Sequence, residues 1–500
     1  MRQLLKSILF VIGCLFVSPS GALAQYDIIP MPQTISLDKK GRMLNVDSTT
    51  AIVDRLNANI INPEGWRITV DKKGITVEGS TEAGIFYAHQ ALRQILPDGQ
   101  PSNLKSQITL PFATIESNPR FAYRGMHLDI CRHFFSKEVV KQYIDMLAMH
   151  GMNTFHWHLS DDQGWRIEIK KWPKLTEVGA WRQRTVIGRN MGLYDYTKHG
   201  GYYTQNDIRE VVEYAAKQHI TVIPEIDMPG HMVAAVTAYP ELGCTGGPYE
   251  VWPDWGVSED ILCGGNPKVY QFLTDVIDEL SELFPAAIFH LGGDEAPKVR
   301  WKACPRCQQK IRELGLSNED QLQGYMVREM EKVLAAKGRR VMGWDEIMDC
   351  DVPHTAVIMN WRDWKGVDDP AKKGFDVVRT PNSTLYFDFY QIPSNEWTNT
   401  LLIGGYSPLE KVYNYDPTPE TLTDEEKKHV IGVQANLWTE YIGAQDLIEY
   451  QVLPRMAALA EVQWADPSQK DYDKFLKRLP RLITLYDQQG WKYCRYELSK

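Results

Sequence analysis

The chain has 500 residues, of which 43% are hydrophobic and 24% charged, with a formal net charge of -9. That length favours two or three domains over one, and the composition supplies a large core, which excludes a disordered chain. The acidic balance argues against a nucleic-acid partner, because polyanions are normally met by a positive face.

In chain order, residues 1–24 read as an export signal. Arg2 and Lys6 give a positive start, Ile8 to Val17 is almost wholly apolar, and Ala22-Leu23-Ala24 offers small residues for cleavage before Gln25. The segment holds two basic residues and no acidic one, so its removal takes the charge from -9 to -11. Val11-Ile12-Gly13-Cys14 also resembles a lipoprotein box, which makes a lipid anchor at Cys14 the alternative. No later stretch is long and apolar enough to span a bilayer, so an exported protein, periplasmic or extracellular, is expected. Of the 8 cysteines, one lies in this signal. Cys244 and Cys263 bracket a loop where a disulfide is plausible in an oxidising compartment. Cys304-Pro305-Arg306-Cys307 has a redox or zinc spacing, but no second ligand pair is near in sequence, which favours a bridge or two free thiols.

Residues 25–118 read as a small α+β accessory domain. Short strands are predicted at 66–70 and 75–77. A helix is predicted from Thr81 to Ile95, with Ala83, Phe86, Tyr87, Leu92 and Ile95 at helical spacing. Pro97, Pro101 and Pro111 punctuate the exit. From 119 to 500 the chain alternates between apolar strands and amphipathic helices. Strands are predicted at 123–129, 152–159, 220–226, 287–292, 340–345, 355–361, 376–388 (interrupted) and 430–437. The clearest helices are predicted at 137–149, 206–218, 267–283 and 320–337. The fold class is therefore α/β: a (β/α)8 TIM barrel preceded by the small α+β domain.

Polar and aromatic residues cluster at almost every strand end, as at the C-terminal mouth of a barrel where active sites sit. They include Arg124 and Asp129; His156, His158, Asp161 and Asp162; Glu225, Asp227 and His231; Asp294 and Glu295. The later strands add Trp344, Asp345 and Glu346; Trp361; Tyr386 and Asp388; Trp438 and Glu440. The sharpest cluster is Phe289-His290-Leu291-Gly292-Gly293-Asp294-Glu295. Its glycines allow a tight turn, and its adjacent carboxylates raise each other's proton affinity, so that one can serve as a general acid. His156, His158, Asp227 and His231 could ligate a metal, but without a specific ligand spacing no metal and no cofactor is expected.

Long motifs then carry a resemblance from about residue 25 to the end. They are Tyr123-Arg124-Gly125 with Leu128-Asp129 and Arg132-His133-Phe134; His156-Trp157-His158-Leu159-Ser160-Asp161-Asp162-Gln163-Gly164-Trp165-Arg166; and Pro224-Glu225-Ile226-Asp227-Met228-Pro229-Gly230-His231. Further on come His290-Leu291-Gly292-Gly293-Asp294-Glu295, Gly343-Trp344-Asp345-Glu346, Tyr386-Phe387-Asp388 and Asn436-Leu437-Trp438-Thr439-Glu440. In this order they resemble the family-20 glycoside hydrolases, the β-N-acetylhexosaminidases. The resemblance implies an exo-acting, retaining enzyme on an oligosaccharide or glycoconjugate, in which the sugar's 2-acetamido carbonyl attacks the anomeric carbon.

By position it implies Glu295 as acid/base, Asp294 as the carboxylate on the acetamido N–H, and Tyr386 as hydroxyl donor to the acetamido oxygen. Trp344, Trp361 and Trp438 are implied as aromatic walls, and Arg124, Asp388 and Glu440 as partners of the sugar hydroxyls. Asp161 and His231 are implied to support them, with His231 acting on Glu295. Against that resemblance, the region before the barrel is short for the family's accessory domain, and no carbohydrate-binding module is expected in the residues that follow the eighth strand. A catalytically silent sugar-binding protein would be expected to lack Asp294 or Glu295, and a metal-dependent deacetylase would be sensitive to chelators. Oligomeric state is not addressed by the sequence.

Overall fold

The computed structural model describes residues 26–96, 107–364, 368–396 and 400–499. The expected export signal and Cys14 lie outside the described residues. Seven short strands open the described chain: β1 (Thr34–Leu37), β2 (Met43–Val46), β3 (Ile52–Leu56), β4 (Trp66–Asp71), β5 (Gly74–Gly79), β6 (Ile108–Pro111) and β7 (Ala113–Ser117). Five form one sheet in the order β1-β7-β4-β5-β3, and β2 pairs with β6. In β4 and β5 alternate side chains are buried, the pattern of a sheet with one face on a core.

That core is completed by α1 (Glu82–Ile95), which Thr81 caps by accepting from the Gly84 N–H. Tyr87, Leu92 and Ile95 are buried as predicted, while Ala83 and Phe86 are only partly so.

The remainder forms a closed barrel of parallel strands: β8 (Tyr123–Asp129), β9 (Thr154–His158), β10 (Thr221–Glu225), β11 (Ile288–His290), β12 (Arg340–Trp344), β13 (Val357–Asn360), β14 (Asp376–Arg379) and β15 (Val430–Ala435). Helices between the strands include α2 (Lys137–Met149), α3 (Gln205–Ala216), α4 (Pro267–Leu283) and α5 (Glu319–Ala335). α3 begins with a Thr204/Asp207 capping box. The interrupted strand predicted at 376–388 ends at Arg379. A short helical turn, Asn382–Leu385, follows, and Tyr386 then bridges in parallel to Asn436 beyond β15. Pro381 explains the break, since it cannot donate to a ladder.

The register aligns Asp129 with His158, His158 with Glu225, and Glu225 with His290. Four successive strands thus deliver ionisable side chains to one level at the C-terminal mouth. At the opposite end, β8 starts against the accessory domain. Here Arg124, expected at the mouth, is found instead at the seam. It lies five residues before the end of β8, about 17 Å along a strand. Its guanidinium binds Glu64 of the accessory domain at 2.7 and 2.8 Å and donates to the Gly151 and Phe121 carbonyls. Tyr87 and Trp464 sandwich it at 5.3 and 4.8 Å. Burial opposes ionisation of Glu64, but the Arg124 pair outweighs it and holds the carboxyl low.

Candidate active site

The turn after β11 sets the site. Gly292 and Gly293 have φ of 63° and 102°, where a side chain is strained. Space forbids one as well: a Cβ on Gly292 would fall 1.8 Å from Asp227 Oδ1, and one on Gly293 would fall 2.3 Å from Ile347. The Gly293 N–H donates to Asp227 at 3.0 Å and its carbonyl accepts from Gln323 at 2.7 Å. Glu295 and His231 also have positive φ, 43° and 52°. Such strain in non-glycine residues is held by surrounding structure and concentrates at functional sites.

The open pocket at this mouth has a cavity volume of about 170 Å³ and is lined by Arg132, His158, Asp161, Asp227, His231, Asp294, Glu295, Trp361, Tyr386, Asp388, Trp438 and Glu440 among others. Nearly every site residue expected from the sequence lines it. Trp344 instead lies one layer beneath, its ring 5.8 Å from Trp438 and its indole N–H donating to Glu225 at 2.8 Å. Trp361 donates to Glu346 at 2.9 Å and stacks on Tyr386 at 6.2 Å.

Arg124 does not reach the pocket; the arginine there is Arg132. Its guanidinium pairs with Asp129 and Asp161 at 3.1 and 3.0 Å and lies 4.9 Å over the Trp438 ring. Sequence reasoning quoted Arg132 without giving it a role, although its place three residues after Asp129 puts it beyond the strand end. Asn382, Phe389 and Ile403 also line the pocket. They were missed, and no motif marks them.

A chain of charged partners supports the carboxylates. Glu225 is buried between His158 at 2.5 Å, His156 at 3.0 Å and His290 at 3.0 Å. His158 passes on to Asp161 at 2.7 Å, and Asp161 to His231 Nδ1 at 3.1 Å. The other nitrogen of His231 stands 3.6 Å from Glu295 and 3.8 Å from Asp294. His231 therefore touches both predicted catalytic carboxyls.

The proton affinities correct one expectation. Crowding was expected to leave one of the adjacent pair protonated as the general acid, but the rise falls on Asp294. Burial, then the Asp227 charge, pushes Asp294 well above the usual range. Asp227 itself is pushed up to about 7, chiefly by burial, with His231 opposing and Glu225 adding. Glu346 is pushed up to about 9 by burial and then by Asp294. Glu295 moves the other way: its interaction with His231 lowers it against the effect of burial. Burial alone would discharge His231, yet Asp161, Asp162 and Glu295 reverse this and raise it well above normal. The difference is one of position, since 42% of the Glu295 side chain is exposed against 13% for Asp294.

Several carboxylate oxygens in the pocket make no close hydrogen bond to the protein. Asp294 Oδ1, Asp227 Oδ2, both Asp388 carboxylate oxygens and Glu440 Oε2 are buried without a hydrogen-bond partner. Burial pushes Asp388 and Glu440 up as well. Buried acceptors are costly when unpaired, so these oxygens suit donors that enter the pocket, water or the O–H and N–H groups of a ligand.

Outside the pocket, the fold overturns the reading that no second pair lies near Cys304 and Cys307. Cys244 and Cys263 meet them in one cluster, and the bridge expected between Cys244 and Cys263 is not formed.

The profile "Glycosyl hydrolase family 20, catalytic domain" matches residues 121–467, and "Glycosyl hydrolase family 20, domain 2" matches residues 40–116. A β-hexosaminidase of Porphyromonas gingivalis is 44% identical over 87% of this chain and 55% of its own length. One from Vibrio furnissii is 39% identical over 81% of this chain and 66% of its own length. The chain thus spans about half to two thirds of these two relatives. Among solved structures, the Vibrio harveyi GH20 exo-β-N-acetylglucosaminidase in complex with N-acetylglucosamine aligns with a TM-score of 0.83 at 31% identity. That alignment covers 94% of this chain and 78% of that one.

Proposed function

Since the chain belongs to glycosyl hydrolase family 20, we propose that it is an exo-acting β-N-acetylhexosaminidase releasing terminal β-linked GlcNAc or GalNAc. The observation that carries the reading is the set of buried, donor-less carboxylate oxygens of Asp294, Asp388 and Glu440 around a pocket walled by Trp361, Tyr386 and Trp438. Hydroxyls of a non-reducing sugar supply donors to Asp388 and Glu440, with Arg132 beside them. The aromatic rings offer flat faces to the sugar and keep water out. Asp294 receives the acetamido N–H, and the Tyr386 hydroxyl donates to the acetamido oxygen.

The acetamido carbonyl oxygen attacks the anomeric carbon as the glycosidic C–O bond breaks, and Glu295 gives its proton to the departing oxygen. The resulting oxazolinium is then opened by water, which Glu295 deprotonates. The proton affinities fit this sequence. In the free site the proton affinity of Asp294 is raised, chiefly by burial, and that of Glu295 is lowered by His231. The acetamido N–H, with its growing positive charge, favours ionised Asp294. The same His231 nitrogen faces both groups, so it can first give its proton to Glu295 and then take one from Asp294. Substrate binding then charges one carboxyl and loads the other.

The export signal at residues 1–24 supports a periplasmic or extracellular location, with a lipid anchor at Cys14 as the alternative. Assays on p-nitrophenyl GlcNAc, GalNAc and 6-sulfo-GlcNAc, with a thiazoline mimic of the cyclised acetamido group as inhibitor, test the reading. Turnover of at least one of these sugars with strong thiazoline inhibition is expected. Absence of turnover, or turnover that the thiazoline leaves untouched, contradicts it.

A further inference from the structure

We infer that Cys244, Cys263, Cys304 and Cys307 bind one zinc ion as a tetrahedral tetrathiolate centre. The four sulfur atoms all lie within 4.8 Å of one another. Cys244 to Cys307 is 3.8 Å, Cys263 to Cys304 is 3.8 Å and Cys263 to Cys307 is 3.6 Å. A tetrahedron with zinc–sulfur bonds of about 2.3 Å has edges of about 3.8 Å, so these spacings are those of ligands around a shared ion. All four thiols are free; Cys263, Cys304 and Cys307 are buried and Cys244 is half-buried.

The surroundings are built for such a centre. Cys304 is the N-cap of the helix Pro305–Leu314, which places Cys307 in its first turn. The Gly265 backbone packs against Cys307 and the Arg306 guanidinium lies beside the cluster, so that positive charge is at hand to offset the net negative charge of four thiolates and one zinc. Arg306 also donates to the Gly243 carbonyl at 3.0 Å, next to Cys244. Gly265 has no room for a side chain, because a Cβ there would fall 2.2–2.4 Å from the backbone of Arg306 and Cys307. The two strands of chain are thus pressed together at the cysteines.

Both strands come from the active site. The segment holding Cys304 and Cys307 follows Glu295, and the one holding Cys244 and Cys263 follows His231. Zinc would clasp these two segments together as a structural ion, with all four positions filled by protein and none open for chemistry.

Elemental analysis of the purified full chain tests this directly. About one zinc per chain is expected in the wild type and in Cys350→Ser, whose cysteine lies outside the cluster. Cys244→His should keep the ion, since histidine is an accepted fourth ligand, whereas Cys263→Ser with Cys307→Ser should lose it. If that double variant fails to fold, wild type produced in cobalt medium should show intense thiolate-to-cobalt absorption. A strong chelator should strip the ion, release four reactive thiols and lower Tm. Metal-free protein whose intact mass shows the deficit of two disulfides would overturn the assignment, as would four freely titrating thiols without a metal.

Discussion

The two ends of the barrel each bury ionisable side chains, and they do so in opposite ways. At the seam, Arg124 has its guanidinium bound to Glu64 and two carbonyls and enclosed by two rings. At the mouth, Asp294, Asp388 and Glu440 keep buried oxygens that meet no donor. A buried ionisable group whose bonds are complete holds a fold together; one whose bonds are left incomplete is held by that fold for a partner that enters the pocket.

Mutations at the two ends should therefore separate activity from stability. The largest effect is expected for Glu295→Gln, which should cut kcat on substrates with poor leaving groups by roughly 10⁴-fold with Tm unchanged. Steady-state kinetics on an oligosaccharide beside an activated aryl glycoside checks this, because the activated substrate should be spared in the first step. Arg124→Met should cost about 3–5 kcal/mol of stability by stranding Glu64, while KM stays near that of the wild type. Denaturant unfolding and kinetics on the same sample decide whether Arg124 belongs to the seam. Asp294→Asn should lower kcat by about 10²–10³-fold, near 3 kcal/mol or more, through loss of the charge opposite the oxazolinium. Glu440→Gln should weaken kcat/KM by about 10–100-fold, the value of one charged hydrogen bond to a sugar hydroxyl, with little change in Tm.

The smallest effect concerns pH. Asp227 rises from an ordinary 3.8 to about 7 in the folded chain. The folded state thus holds a proton that the unfolded chain releases, and the stability it contributes is complete below about 4 and lost as pH rises through about 7. Tm should fall across that window, and Asp227→Asn should flatten the decline when the two proteins are compared by thermal scans.

The barrel was legible because its strands are short apolar runs set between amphipathic helices, and parallel strands buried on both faces read in that way. Most of the mouth was legible because its residues sit just past those runs. Arg124 was misplaced for the complementary reason: it lies near the start of β8, and only its position within the strand, rather than its presence in a motif, tells top from bottom. The proton order of Asp294 and Glu295 was not legible either. Adjacent in sequence, the two differ in depth and neighbours, and His231 and Asp227 reach them from another loop. Ile403 and Asn382 come from connections after β14 that carry no periodic pattern. The cysteine cluster joins residues some forty to sixty positions apart, such as Cys263 with Cys304 and Cys244 with Cys307, and sequence spacing cannot reveal such a meeting.

The central claim is that the pocket uses the substrate's own acetamido group as nucleophile, with Asp294 opposite it. The direct test is kcat/KM for p-nitrophenyl β-GlcNAc against p-nitrophenyl β-glucoside, which differ at the 2-position alone, in the wild type and in Asp294→Asn. The account predicts that the glucoside is essentially inert and that the Asp294 change falls on the GlcNAc substrate. Equal hydrolysis of the two sugars by the wild type would contradict it.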